Sequence, residues 1–159
     1  MIHVKCCHYG VCEPEATMLA CSLDAVERRI SDCGSHTTAF ATELDSGQIA
    51  DAFRSVFYSE EQSESYFGMT AADFAEAISS KHIQWAPDGD EAFDDGSYVL
   101  QFDVDDQVRL IAFKRGPDGR HDSSTLSDLW IASDEFYAVL RRWRDSFTEE
   151  WAALPKVAE

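Results

Sequence analysis

Ser97-Tyr98-Val99-Leu100-Gln101-Phe102-Asp103-Val104-Asp105-Asp106-Gln107-Val108-Arg109-Leu110-Ile111-Ala112-Phe113 is the stretch that decides the fold. Tyr98, Leu100, Phe102 and Val104 alternate with Val99, Gln101 and Asp103, the period of two that a strand imposes on its side chains. Asp105-Asp106 makes a two-residue turn, and Val108 to Phe113 returns as a second apolar run. Lys114-Arg115-Gly116-Pro117-Asp118-Gly119 is turn-rich, and Leu126–Ala132 supplies a third strand. The reading predicts a meander through Ser97–Val104, Gln107–Phe113 and Leu126–Ala132. By the same alternation, Asp103 is expected to face solvent.

Helical periods flank this meander. After it, Phe136, Leu140, Trp143, Phe147 and Trp151 step by four, three, four and four residues. That stripe predicts a long amphipathic helix from about Asp134 to Leu154, stopped by Pro155 and buried along one face. Trp143, and Trp130 on the third strand, are therefore expected in the core. Before the meander, Thr70-x-x-Asp73 resembles a capping box opening a helix that carries Phe74, Ala77 and Ile78, with Lys81 at its end. Asp45 or Ser46 caps another, with Ile49, Ala52, Phe53, Val56 and Phe57 on one face. Ser22 is expected to cap an earlier helix through Leu23, Val26 and Ile30, which Cys33-Gly34 ends. Ile2, Val4, Tyr9 and Val11 suggest a short edge hairpin. With 159 residues, 45% of them hydrophobic, the chain is read as one α+β domain over 1–159, an antiparallel β meander packed against several helices.

Thirteen Lys and Arg stand against thirty Asp and Glu, a formal net charge of −17. Such a chain repels phosphates and anionic lipid, so neither nucleic acid nor a membrane is expected as a direct partner. No apolar run approaches the ~20 residues of a membrane span. The acids are also concentrated. Residues 55–108 hold thirteen of them, with Lys81 the one base among them. A solubilising surface intersperses its signs, whereas a one-signed block steers a basic protein partner. The candidate partner-binding residues are Asp88, Asp90, Glu91, Asp94, Asp95, Asp105 and Asp106.

Five cysteines (Cys6, Cys7, Cys12, Cys21, Cys33) all fall in the first 33 residues. An odd set so placed does not fit a secreted disulfide scaffold, and no signal-peptide h-region precedes it, so reduced thiols and a cytoplasmic location are expected. His3, Cys6, Cys7, His8 and Cys12 are zinc-ligand types, but their spacing is irregular and no second pair follows. Metal and cofactor are therefore both expected to be absent. Asp88-x-Asp90 and Asp94 fail as an EF-hand, since the sixth and twelfth positions are Phe93 and Val99. His36, His82 and His121 sit in no catalytic motif, and the sequence has no G-x-S-x-G, P-loop, Rossmann glycine run or H-E-x-x-H. No catalytic residue is assigned.

Trp85-Ala86-Pro87-Asp88-Gly89-Asp90-Glu91-Ala92-Phe93-Asp94-Asp95-Gly96-Ser97-Tyr98-Val99-Leu100-Gln101-Phe102-Asp103-Val104 resembles bacterial immunity proteins of polymorphic and contact-dependent toxin systems, in particular immunity family 42. Val108–Phe113, the ending Asp134-Glu135-Phe136-Tyr137 through Trp143, Phe147 and Trp151, and Pro14–Ala20 are similar to the same group. Against such proteins, the chain opens inside what reads as a first hairpin, so more sequence upstream is expected. The resemblance implies a small cytoplasmic protein that binds and neutralises a cognate toxin domain, and it carries over no catalytic residue. Many such toxins are nucleases with basic clefts, which an acidic inhibitor can occlude. Two other readings compete: a small metal-binding protein or enzyme built on the N-terminal Cys/His cluster, and an acidic adaptor or nucleic-acid mimic unrelated to toxins.

Overall fold

A computed structural model describes residues 2–11, 19–42, 44–60, 63–85 and 93–154. The central hairpin forms as the alternation requires. Ser97–Val104 (β4) pairs with Gln107–Lys114 (β5), which pairs with Ser127–Ala132 (β6), all antiparallel. Asp105 takes φ 52° in the tight turn, a left-handed backbone that Asp tolerates better than most residues. Gln84–Trp85 (β3) adds a short fourth strand beside β4, which the sequence pattern did not indicate. The order is β3-β4-β5-β6. A separate two-stranded hairpin at the N-terminus joins Ile2–Val4 (β1) to Cys7–Tyr9 (β2), as expected.

Both faces of the four-stranded sheet are covered. On one, Leu100, Phe102, Ile111 and Phe113 pack with Ile49, Phe53 and Val56 of Ser46–Tyr58 (α2), and with Phe74 and Ile78 of Ala71–Ser80 (α3). Asp45 caps α2 by accepting from the Gly47 and Gln48 amides, and Thr70 with Asp73 closes the capping box of α3. On the other face, Val108 and Leu110 meet Val26 of Leu19–Ser31 (α1) and Phe136, Tyr137 and Leu140 of Ser133–Ala153 (α4). Val99 and Ala112, further along this face, pack against Val4 and Tyr9 of the hairpin. Ser22 lies inside α1 and is not its cap, because the helix already includes Leu19.

Three expectations about burial are corrected. Asp103 is buried, since α1 and α4 cover the face on which it was expected to meet water. Trp143 is 38% exposed and Trp151 59%, while Phe136 and Leu140 of the same stripe are buried. The β1–β2 hairpin occupies part of that sheet face, and the apolar cluster beneath α4 ends at Leu140. Trp130 is also more than a third exposed, lying over the Arg109 guanidinium at the sheet edge.

Candidate partner-binding surfaces

Of the seven candidate acids, the four among the described residues fall at the two ends of β4. Asp88, Asp90 and Glu91 lie outside the described residues. Asp94 is exposed just before β4, whereas Asp105 and Asp106 are exposed just after it. The eight-residue strand between them puts the two groups at least ~24 Å apart, at about 3.4 Å per residue. Asp95 has structural partners: its carboxylate accepts from Lys114 Nζ at 2.7 Å and from the Ser97 amide at 3.1 Å. Partial burial pulls its pKa up, but those hydrogen bonds outweigh burial and hold it below the ordinary carboxylate value.

The turn at Asp105-Asp106 gains two acids that sequence reading missed. The Ser133 amide donates to the Asp106 carbonyl, which sets the first turn of α4 beside this turn. Asp134 and Glu135 are both exposed there. They fall outside the 55–108 charge block, and only the β5–β6 register, with Gln107 opposite Ala132, brings them near.

Acids outnumber bases by thirty to thirteen, and three of the described cations, Arg29, Arg54 and Arg109, are buried and so do not offset the surface acids. Arg109 is buried, forks onto Asp128 at 2.6 and 3.0 Å, and donates to the Ala41 and Leu44 carbonyls. Arg54 is buried, donates to Tyr98 Oη and the Gly119 carbonyl, and lies against the rings of Tyr58 and Tyr98. Arg120 and His121 share Asp51.

Arg29 belongs to a buried polar network under α1 and α4. It donates to Gln101 Oε1 and the Gln84 carbonyl and stacks on Trp85. Gln101 donates to Asp103 and to Tyr137 Oη, and Tyr137 Oη donates to Asp103 at 2.9 Å. Asp103 also accepts from the Gly34 and His36 amides, pinning the loop after α1. Burial lowers Arg29 to about 9, against the pull of Tyr137, Asp103 and Asp32, so it stays charged at neutral pH. Burial raises Tyr137, and the adjacent Asp103 carboxylate raises it further. His36 Nδ1–H donates to the Lys81 carbonyl at 2.8 Å, and its buried Nε2 has no partner among the described residues. Burial, then the neighbouring Arg29, keeps His36 below its usual pKa and neutral, although the Lys81 carbonyl pulls the other way. These groups orient one another and brace the sheet.

The second surface is apolar. Trp143, Phe147 and Trp151 stack in sequence along α4, with ring centroids 5.4 and 5.9 Å apart and planes 15° and 19° from parallel. Val139, one turn before Trp143 on α4, and Leu154, just past its end, are also exposed. Helical spacing gave the ladder correctly; the error lay in assuming that something covered it.

The N-terminal cluster is spread over the hairpin. Cys6 is exposed, Cys7 half-buried and Cys33 exposed, all as free thiols; Cys12 and the Cys21 side chain lie outside the described set. Among the described residues no three His, Cys, Asp or Glu side chains converge on a metal-sized site. No described helix is long and apolar enough to cross a membrane.

A family model described as Immunity protein 42 matches residues 1–146, nearly the whole chain. No curated protein matches, and no solved structure does.

Proposed function

The chain belongs to the Immunity protein 42 family, and from that premise we propose that it acts in the bacterial cytoplasm by binding a cognate toxin domain with a basic surface and occluding it. The observation that carries the basic-partner reading is the charge distribution. A formal charge of −17 is combined with three buried guanidinium groups, those of Arg29, Arg54 and Arg109, which are spent on carbonyls, aromatic rings and Asp128. Carboxylates so left outside raise the local concentration of a cationic partner and its association rate. A nuclease domain of a polymorphic or contact-dependent system suits this surface, because a cleft built to attract phosphates also attracts carboxylates.

Two acidic ends and one aromatic ladder are available for the contact. The loop end carries Asp94, with Asp88, Asp90 and Glu91 preceding it in sequence. The other end carries Asp105, Asp106, Asp134 and Glu135. Trp143 and Trp151 are the residue type that anchors protein interfaces, with charges at the rim. The role is one of binding, with no step of chemistry assigned to any side chain.

The test is co-purification and a growth-protection assay with the toxin domain encoded beside this gene. Asp94 with Asp90 and Glu91, and separately Asp105 with Asp106, are reversed to lysine in variants shown to fold. Loss of protection in one set locates the acidic contact. Full protection in both, with unchanged binding, would reduce the acids to a solubility feature.

A further inference from the structure

The N-terminal histidines are chemistry that toxin binding leaves unused. In sequence His3 and His8 are separated by four residues, within the range of paired histidine zinc ligands, but no second ligand pair accompanies them. Hairpin register brings the two side by side. The partners are Ile2 with Tyr9, His3 with His8 and Val4 with Cys7, so the two imidazoles are direct cross-strand neighbours. Their ring centroids are 6.1 Å apart and both side chains are exposed. Neither imidazole has a hydrogen-bond partner among the described residues.

We propose that His3 and His8 together form a surface chelate for a borderline divalent transition-metal ion, with Zn2+ as the representative. Directly opposed residues on an antiparallel pair hold their Cβ atoms ~4.5–5.5 Å apart. Two nitrogens bound to one Zn2+ at ~2.0–2.1 Å need only rotations of the exposed rings to converge. Imidazole nitrogens without carboxylates select Zn2+, Ni2+ or Cu2+ over Mg2+ or Ca2+.

The platform is fixed. Val4 and Tyr9 are buried, Tyr9 Oη donates to the Thr125 carbonyl, and the Gly10 amide donates to Ser97 Oγ. Lys5 Nζ is directed to the Asp128 carbonyl. Water fills the remaining coordination positions, so the ion exchanges freely. Its effect is to tie together two three-residue strands, a length at which a hairpin is marginal by itself.

The experiment is Zn2+ titration of the full chain, without a polyhistidine tag, by calorimetry and by NMR of the imidazole resonances. At pH 7.5 the site predicts saturable one-to-one binding that shifts both His3 and His8, with no response to Mg2+. His3→Ala and His8→Ala should each weaken binding about tenfold or more. The Cys6→Ser/Cys7→Ser double variant should bind as the parent does. Circular dichroism and melting temperature establish that each variant folds. Absence of saturable binding up to on the order of 1 mM Zn2+ would overturn the proposal. So would binding that survives His8→Ala, or binding that follows the thiols instead of the imidazoles.

Discussion

The two halves of α4 carry one continuous aromatic and aliphatic stripe and meet two different surroundings. Phe136 and Leu140 are buried against Val26, Val108 and Leu110, whereas Trp143 and Trp151 stand in solvent. Periodicity reports which side chains share a face of a helix. It says nothing of what lies opposite that face. Here the sheet is shared between α4 and the β1–β2 hairpin, so half the stripe became core and half stayed open.

That contrast makes its largest prediction for stability. Phe136→Ala removes a ring from a closed site and should cost ~3–5 kcal/mol, read as a lower urea midpoint. Trp151→Ala should stay within about 0.5 kcal/mol of the parent, as exposed substitutions do. Equal losses at the two positions would erase the distinction between the halves.

The buried network beside Tyr137 comes next. Asp103→Asn keeps the shape but removes the charge that accepts from Tyr137, the Gly34 amide and the His36 amide. The expected loss is about 2–3 kcal/mol, within the range for buried hydrogen bonds to a charged group. An unchanged midpoint would mean that Asp103 is dispensable to the loop after α1.

In the exposed half, Trp143→Ser and Trp151→Ser should fold normally and weaken toxin binding, by ~2 kcal/mol each if they anchor the contact. Normal folding with unaltered affinity would remove the ladder from the interface while leaving the burial contrast intact.

The smallest effect expected is in pH. His36 is held neutral by burial and by Arg29, so its folded pKa lies below the unfolded value of ~6.5. The unfolded chain therefore binds more protons in that window. Stability should fall as pH drops below about 6.5 and level off once His36 is protonated in the fold as well. Arg29, Asp103, Asp32 and the Lys81 carbonyl are the groups acting on this imidazole, and Asp51 and Asp95, whose pKa values are lowered, titrate further down. Urea midpoints at pH 7.5 and 5.5 measure the slope, which His36→Gln should flatten.

The same logic separates what the sequence made legible from what it concealed. β4, β5 and β6 were readable because alternation and turn chemistry are local. The caps of α2 and α3 were readable for the same reason. β3 was hidden because Gln84–Trp85 is too short to show a period. The Arg29–Gln101–Asp103–Tyr137 network was hidden because polar residues on alternate positions read as a wet face, and only the cover by α1 and α4 reverses that reading. The acidic candidates were legible as a charge block, yet their division between the two ends of β4 depends on strand length. Asp134, Glu135 and the His3–His8 pair become neighbours of other groups only through register.

The central claim is that the outward acids draw in a cationic toxin domain. The most direct measurement is the association rate constant with that domain as ionic strength rises from low to physiological, at constant pH. The account predicts a steep fall in association rate with a much smaller change in dissociation rate, because long-range charge acts on encounter. An association rate indifferent to salt would contradict it.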